Sequence, residues 1–208
     1  MRRLIFVIAV SVISVATFAV GQEKAAPMKS HMKKAEVSDA AYTAQALSSA
    51  PKAIAKDAGV VRMDKDGKMR TLRESKNGFT CMVIATDKMC NDANSMEFFG
   101  AMMKGETPTD KVGISYMLAG DQGASNTDPK ATGKTADNHW VVTGPHIMVT
   151  GTASKSLGYP ETADADPSKP FMMWAGTPYE HAMVPVGGSK PMAKMGMEKM
   201  GMDASDKK

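Results

Sequence analysis

Apolar residues along this chain come in short runs divided by polar and glycine-containing breaks, with one exception at the start. Leu4 through Val20 is apolar apart from Ser11, Ser14 and Thr17. Preceded by Met1, Arg2 and Arg3, that run predicts a secretory signal peptide, and Ala19-Val20-Gly21 supplies the small residues of a cleavage site that would leave Gln22 as the new N-terminus. A spanning helix needs roughly 17 to 25 apolar residues, so the run sits at the short end for an anchor. No Cys follows it to accept a lipid. The expectation is a signal peptide at 1–21, no stable membrane anchor after cleavage, and a periplasmic or extracellular protein.

From 22 to 36 the chain is polar and Lys-rich without apolar periodicity, which predicts a disordered lead-in. The pattern changes at Val37. Ser38 can cap a helix running to about Ser49, and Pro51 suits the first turn of a second short helix ending at Gly59. A β-meander is expected next: strands at 60–63 and 68–73 around the turn Asp64-Lys65-Asp66-Gly67, then a strand at 79–85 after the turn Asn77-Gly78. Asn94 or Ser95 can cap a helix that carries Met96, Phe98, Phe99, Met102 and Met103 and stops at Gly105. Val112 to Leu118 alternates as a half-buried strand does, and 120–134 reads as a loop. Short apolar segments follow at 140–142, 146–150, 171–174 and 181–186. Several hairpin-length strands with few helices predict a single α+β domain at 37–187, with short N-terminal helices and a largely antiparallel sheet. Beyond it, 188–208 is a Met/Lys/Gly-rich flexible tail in which Lys194-Met195-Gly196-Met197-Glu198 is repeated as Lys199-Met200-Gly201-Met202-Asp203.

Charge narrows the partners. The 26 Lys and Arg exceed the 22 Asp and Glu only slightly, and loss of Arg2 and Arg3 with the leader brings them closer still. Such scattered, nearly balanced charge argues against nucleic acid. Two cysteines, Cys81 and Cys90, suit a structural disulfide in an oxidising compartment, since eight intervening residues are not the spacing of a redox or zinc pair.

Several segments together resemble a family of secreted bacterial proteins: Asn77-Gly78-Phe79-Thr80-Cys81, Met89-Cys90, Gly113 to Leu118, Ala124-Ser125-Asn126-Thr127-Asp128-Pro129, Gly144-Pro145-His146-Ile147-Met148, and Met173 to Val186. The resemblance spans about 46–186. It implies export and carries over no activity, cofactor or catalytic residue.

The unusual chemistry is sulfur: the chain has 20 methionines. Thioethers are soft, uncharged ligands that suit Cu(I) and Ag(I) where thiols would oxidise. Met192, Met195, Met197, Met200 and Met202 form closely spaced pairs in the tail, and Met28, His31 and Met32 form a smaller cluster. Both are candidate metal ligands, against the alternative of low-complexity tails or sacrificial methionines that take up oxidant. Met82, Met96, Met102, Met103, Met117, Met148, Met172, Met173 and Met183 sit in apolar runs and read as core filler. His146 and His181 each begin an apolar strand and His139 precedes Trp140, so strand pairing can bring imidazoles together beside Glu180, Tyr179 or Asp128. Such a set can hold zinc or copper, or supply a base. The oxygen-rich stretch from Asp121 to Asp128 reads as turn chemistry rather than a calcium loop. Without a nucleophile elbow, phosphate loop or haem motif, the expectation is a non-enzymatic binding or interaction module for a metal ion or small ligand, possessing Met-rich tails suited to Cu(I) or Ag(I). The alternative is a metal-assisted enzyme built on His146 and His181, with Glu180 as a further candidate.

Overall fold

The computed structural model describes residues 37–187; the leader, the lead-in and the tail, with Met28, His31, Met32, Met192, Met195, Met197, Met200 and Met202, lie outside the described residues. Helix α1 (Asp39–Leu47) begins at Ser38, whose hydroxyl accepts the Ala41 amide, and Pro51 opens the short α2 (Lys52–Ala55). Strands β1 (Gly59–Met63) and β2 (Met69–Arg73) form the expected hairpin. The meander stops there. Strand β3 (Thr80–Ile84) lies parallel to β1, on the side away from β2.

Strand β4 (Asp87–Asn91) returns against β3 through the two-residue turn Ala85-Thr86, and Ala85 takes a left-handed φ of 53°. That turn lacks the Gly or Asn that usually fills such positions, so composition hides both the turn and β4. Helix α3 (Ala93–Lys104) is capped by Asp92 rather than by Asn94 or Ser95. One Asp92 oxygen accepts the Ser95 amide and the other accepts the Ile114 amide, both at 2.8 Å, so a single carboxylate caps α3 and ties it to the next strand. Gly105, with φ of 73°, closes the helix.

The remaining strands are β5 (Gly113–Met117), β6 (Ala124–Ser125), β7 (Trp140–Val141), β8 (His146–Thr150), β9 (Phe171–Met173) and β10 (His181–Pro185), with a 3-10 turn at Thr152–Leu157. Among the described residues β6, inside the expected loop, pairs only with β7. The other eight form one sheet of order β2-β1-β3-β4-β5-β8-β10-β9, antiparallel except between β1 and β3. The fold is α+β, as the short apolar runs predict. Among the described residues no helix is long and apolar enough to cross a membrane.

Alternation along the strands sorts side chains between two faces. Cys81 and Cys90 stand directly opposite each other on β3 and β4 and are joined by a disulfide. They pack with Tyr42 and Ala46 of α1, and the Tyr42 hydroxyl donates to the Val61 and Val83 carbonyls and accepts the Val83 amide. The opposite face lies under α3 and carries Met82, Met89, Met117, Met148, Phe171, Met173 and Met183, which form one core cluster with Phe98 and Phe99 of α3. The start of α3 presses close to β5. A Cβ at Gly113 would collide with the Ser95 backbone nitrogen, and the Ser95 hydroxyl pairs with that of Thr150 at 3.1 Å. Gly113→Ala should therefore lift α3 from the sheet and cost about 1 to 3 kcal/mol, read as a lower midpoint in urea unfolding.

Candidate functional site

His146 and His181 both belong to the face under α3. His146 starts β8 and His181 starts β10, and the register of these antiparallel strands places the pair Met148 and Met183 between them. Each imidazole has a methionine directly across the ladder: Met117 opposite His146, and Met173 opposite His181. Directly opposed side chains have Cβ atoms about 4.5 to 5.5 Å apart. The sheet thus presents three successive cross-strand pairs, imidazole–thioether, thioether–thioether and imidazole–thioether.

These residues line one cavity of about 210 Å³, completed by Met89, by Phe99, Met102 and Met103 from α3, by Trp174, and by Asp87, Asp121, Gly123 and Ala124 at the loop side. Seven of its lining side chains are methionines. Trp174 follows β9 in a left-handed conformation, φ 57°, and is held there by its indole nitrogen, which donates to the Ser125 carbonyl at 2.7 Å. Its ring, with those of Phe98 and Phe99, meets the His181 ring edge to face, the Trp174 centroid lying 5.0 Å away.

Both imidazoles are oriented in the same way. His146 Nδ1 lies 2.7 Å from the Gly144 carbonyl oxygen, and His181 Nδ1 lies 2.9 Å from that of Tyr179, in each case two residues upstream. A carbonyl can only accept, so Nδ1 carries the proton and Nε2 of the neutral ring keeps its lone pair. Both Nε2 atoms are buried and have no hydrogen-bond partner among the described residues. Burial also holds both rings neutral: it lowers the pKa of His146, and it lowers that of His181 to about 4, with His146 adding to the effect. A buried lone pair left unsatisfied is costly, and an imidazole whose Nδ1–H is anchored to a carbonyl is the usual arrangement of a metal-ligating histidine.

Two carboxylates border the same space. Asp121 accepts the Thr143 and Gly123 amides at 2.9 Å, the second bond being the expected turn chemistry, and Asp87 accepts the Gln122 amide at 3.0 Å. Burial, together with the neighbouring Asp87, raises the pKa of Asp121 to about 6. Burial raises that of Asp87 as well.

The other candidates lie elsewhere. His139 is bound to Asp164 at 2.7 Å and does not line the cavity. Glu180 is buried on the other side of β10, where it accepts the Gly176 amide at 2.7 Å and pairs with Lys155 at 2.8 Å. Tyr179 contributes its carbonyl to His181, and Asp128 accepts the Lys130 amide in a turn. Among the described residues no three His, Cys, Asp or Glu side chains cluster as a metal-binding group. The donors around the two imidazoles are thioethers. Of the methionines that read from sequence as core filler, Met102, Met103, Met117, Met148, Met173 and Met183 line this cavity, and Met89 joins them from β4, a strand that composition hides. Met172 points to the opposite face and is fully buried.

No family model, no curated protein and no solved structure matches this chain.

The opposed shifts give a pH test. His181 stays neutral in the folded protein down to about pH 4 but ionises at its ordinary 6.5 when unfolded, so acidification across that window destabilises the fold. Asp121 acts in the opposite sense: its folded carboxyl takes up a proton near pH 6, before the unfolded one does near 3.8, so acidification stabilises. Each effect is worth roughly 3 kcal/mol. Between pH 6.5 and 4, Asp121→Asn should lose more stability than the unaltered protein and His181→Gln should lose less, as measured by urea midpoints; identical profiles in all three would contradict both shifts.

Proposed function

We propose that this protein is an exported, non-enzymatic binding module for a soft monovalent cation, Cu(I) or Ag(I), held in the cavity under α3 by His146, His181 and neighbouring thioethers. The observation that carries the reading is the pair of buried imidazoles lining a methionine-rich cavity, each with its Nδ1 proton donated to a carbonyl and its Nε2 without a hydrogen-bond partner among the described residues. Neutral nitrogen and thioether sulfur form a soft donor set with no anionic ligand, which favours Cu(I) over harder divalent ions. The Asp87 and Asp121 carboxylates on the cavity wall supply the counter-charge that a buried cation needs. Export is supported by the Met1 to Gly21 leader and agrees with the disulfide, which persists in oxidising compartments.

The tail methionines and the Met28, His31 and Met32 cluster would then raise local ion concentration around the domain. A metal-assisted enzyme on the same two histidines is the second reading, but its acid–base candidate, Glu180, is engaged by Lys155 and Gly176 away from the cavity.

Anaerobic titration of the full chain with Cu(I), against a chromophoric competing chelator, tests the assignment. The unaltered protein should bind one ion tightly, and His146→Gln with His181→Gln should weaken that ion by about 100-fold or more, since changes even to the partners of metal ligands cost 10- to 100-fold. Removal of 188–208 should leave it in place. If the double variant binds as tightly as the parent while the truncated chain does not bind, the ion belongs to the tail and the cavity reading fails.

A further inference from the structure

A second cavity, of about 320 Å³, lies beside the first and is also walled by sulfur: Met63, Met69, Met82, Met96 and Met103. Two of these are a direct cross-strand pair, Met63 on β1 opposite Met69 on β2, at the edge of the sheet. An exposed hydrophobic residue is informative when it belongs to a cluster, and Met63, Met69 and Met103 are 39%, 46% and 57% exposed. All three face this one cavity. Inside it lies Asn91, fully buried, with neither its amide oxygen nor its amide nitrogen hydrogen-bonded among the described residues. An unpaired amide oxygen at the end of a thioether-lined space is a further neutral donor for a cation.

The two cavities share Ile84, Phe99 and Met103 as a common wall. A second connection runs through the sheet, because Met82 of the outer cavity stands directly opposite Met89 of the inner one on β3 and β4. From the sheet edge inward, thioethers follow one another as Met63 and Met69, then Met103 and Met82, then Met89, next to Met117 and His146. A single exposed methionine is ordinary surface; opposed thioether pairs that continue from the exposed sheet edge toward His146 are not required by packing.

We infer that the outer cavity is a loading site for the same soft monovalent cation, which its exposed thioethers capture and Met103 and the Met82–Met89 pair pass to the histidine site. This rests on the inner cavity being the final site. Transfer is ligand exchange at constant oxidation state: a bond from the ion to an outer sulfur breaks as one to the next sulfur forms, and no electron or proton moves.

The test uses the full chain and Ag(I), followed by NMR of methyl-labelled methionines and of the imidazole nitrogens. Substoichiometric Ag(I) should shift the Met63, Met69 and Met103 methyls first and the His146 and His181 nitrogens later. Met63→Leu with Met69→Leu, a change at partly exposed positions, should slow the imidazole shift by about tenfold or more while leaving its end point unchanged, since capture beside the final site acts through a raised effective concentration. An imidazole shift at the parental rate in that variant would overturn the loading role. So would silent Met63, Met69 and Met103 methyls in a protein whose histidines respond. If those methyls shift while the histidines never do, the inner reading fails and the transfer proposal falls with it, leaving only a sulfur site at the sheet edge.

Discussion

Strand alternation decides what α3 covers, and most of the molecule's chemistry follows from that. Each of β3, β4, β5, β8 and β10 turns one set of side chains toward α1 and the 3-10 turn and the other set toward α3. A one-residue slip between β8 and its neighbours would exchange His146 and Met148 for Ile147 and Val149 on that face. The constraint is enforced at the start of α3, where Asp92 bonds to Ile114, Ser95 to Thr150, and Gly113 has no Cβ to intervene. On the far face the disulfide between Cys81 and Cys90 and the Tyr42 hydroxyl hold β3 to its neighbours.

Under α3 the composition departs from that of an ordinary core. Leucine and isoleucine would fill such a space with stiffer, branched side chains; here methionine takes nearly every central position of the ladder, with histidine at two of them. Methionine is flexible and fills irregular gaps, which accounts for its presence in the packed region. Gap filling does not account for cavities of about 210 and 320 Å³ lined by the same residue type, nor for two imidazoles whose Nδ1 protons are anchored and whose Nε2 atoms have no hydrogen-bond partner among the described residues. Burying polar atoms without partners opposes folding, and the two Nε2 atoms lie in a cavity with soft donors and two carboxylates; on that juxtaposition rests the proposal of a cation site.

Much of the fold is legible in the amino-acid pattern. The helix starting after Ser38, the hairpin around Asp64 to Gly67, the helix ending at Gly105 and the strands beginning at His146 and His181 all have local signals that the structure repeats. β4 was hidden because Ala85 and Thr86 make a tight turn without turn residues, and the parallel contact of β1 with β3 is a long-range choice that no local pattern encodes. The site was legible in part. That His146 and His181 are unusual can be read from strand position, but their sharing a cavity depends on β8 pairing with β10 and on α3 closing over both. The sulfur of the core is hard to read from sequence because, one strand at a time, a methionine in an apolar run is indistinguishable from filler. Only the register shows Met117 opposite His146, Met148 opposite Met183 and Met173 opposite His181. That register is the signal, and it exists only in three dimensions.

Copper X-ray absorption reports directly which atoms hold a bound ion. One equivalent of Cu(I) bound to the full chain should show imidazole nitrogen scattering together with thioether sulfur, and the imidazole features should vanish in the His146→Gln, His181→Gln protein. A coordination sphere of sulfur alone, unchanged by those substitutions, would contradict the claim and assign the ion to methionines elsewhere in the chain.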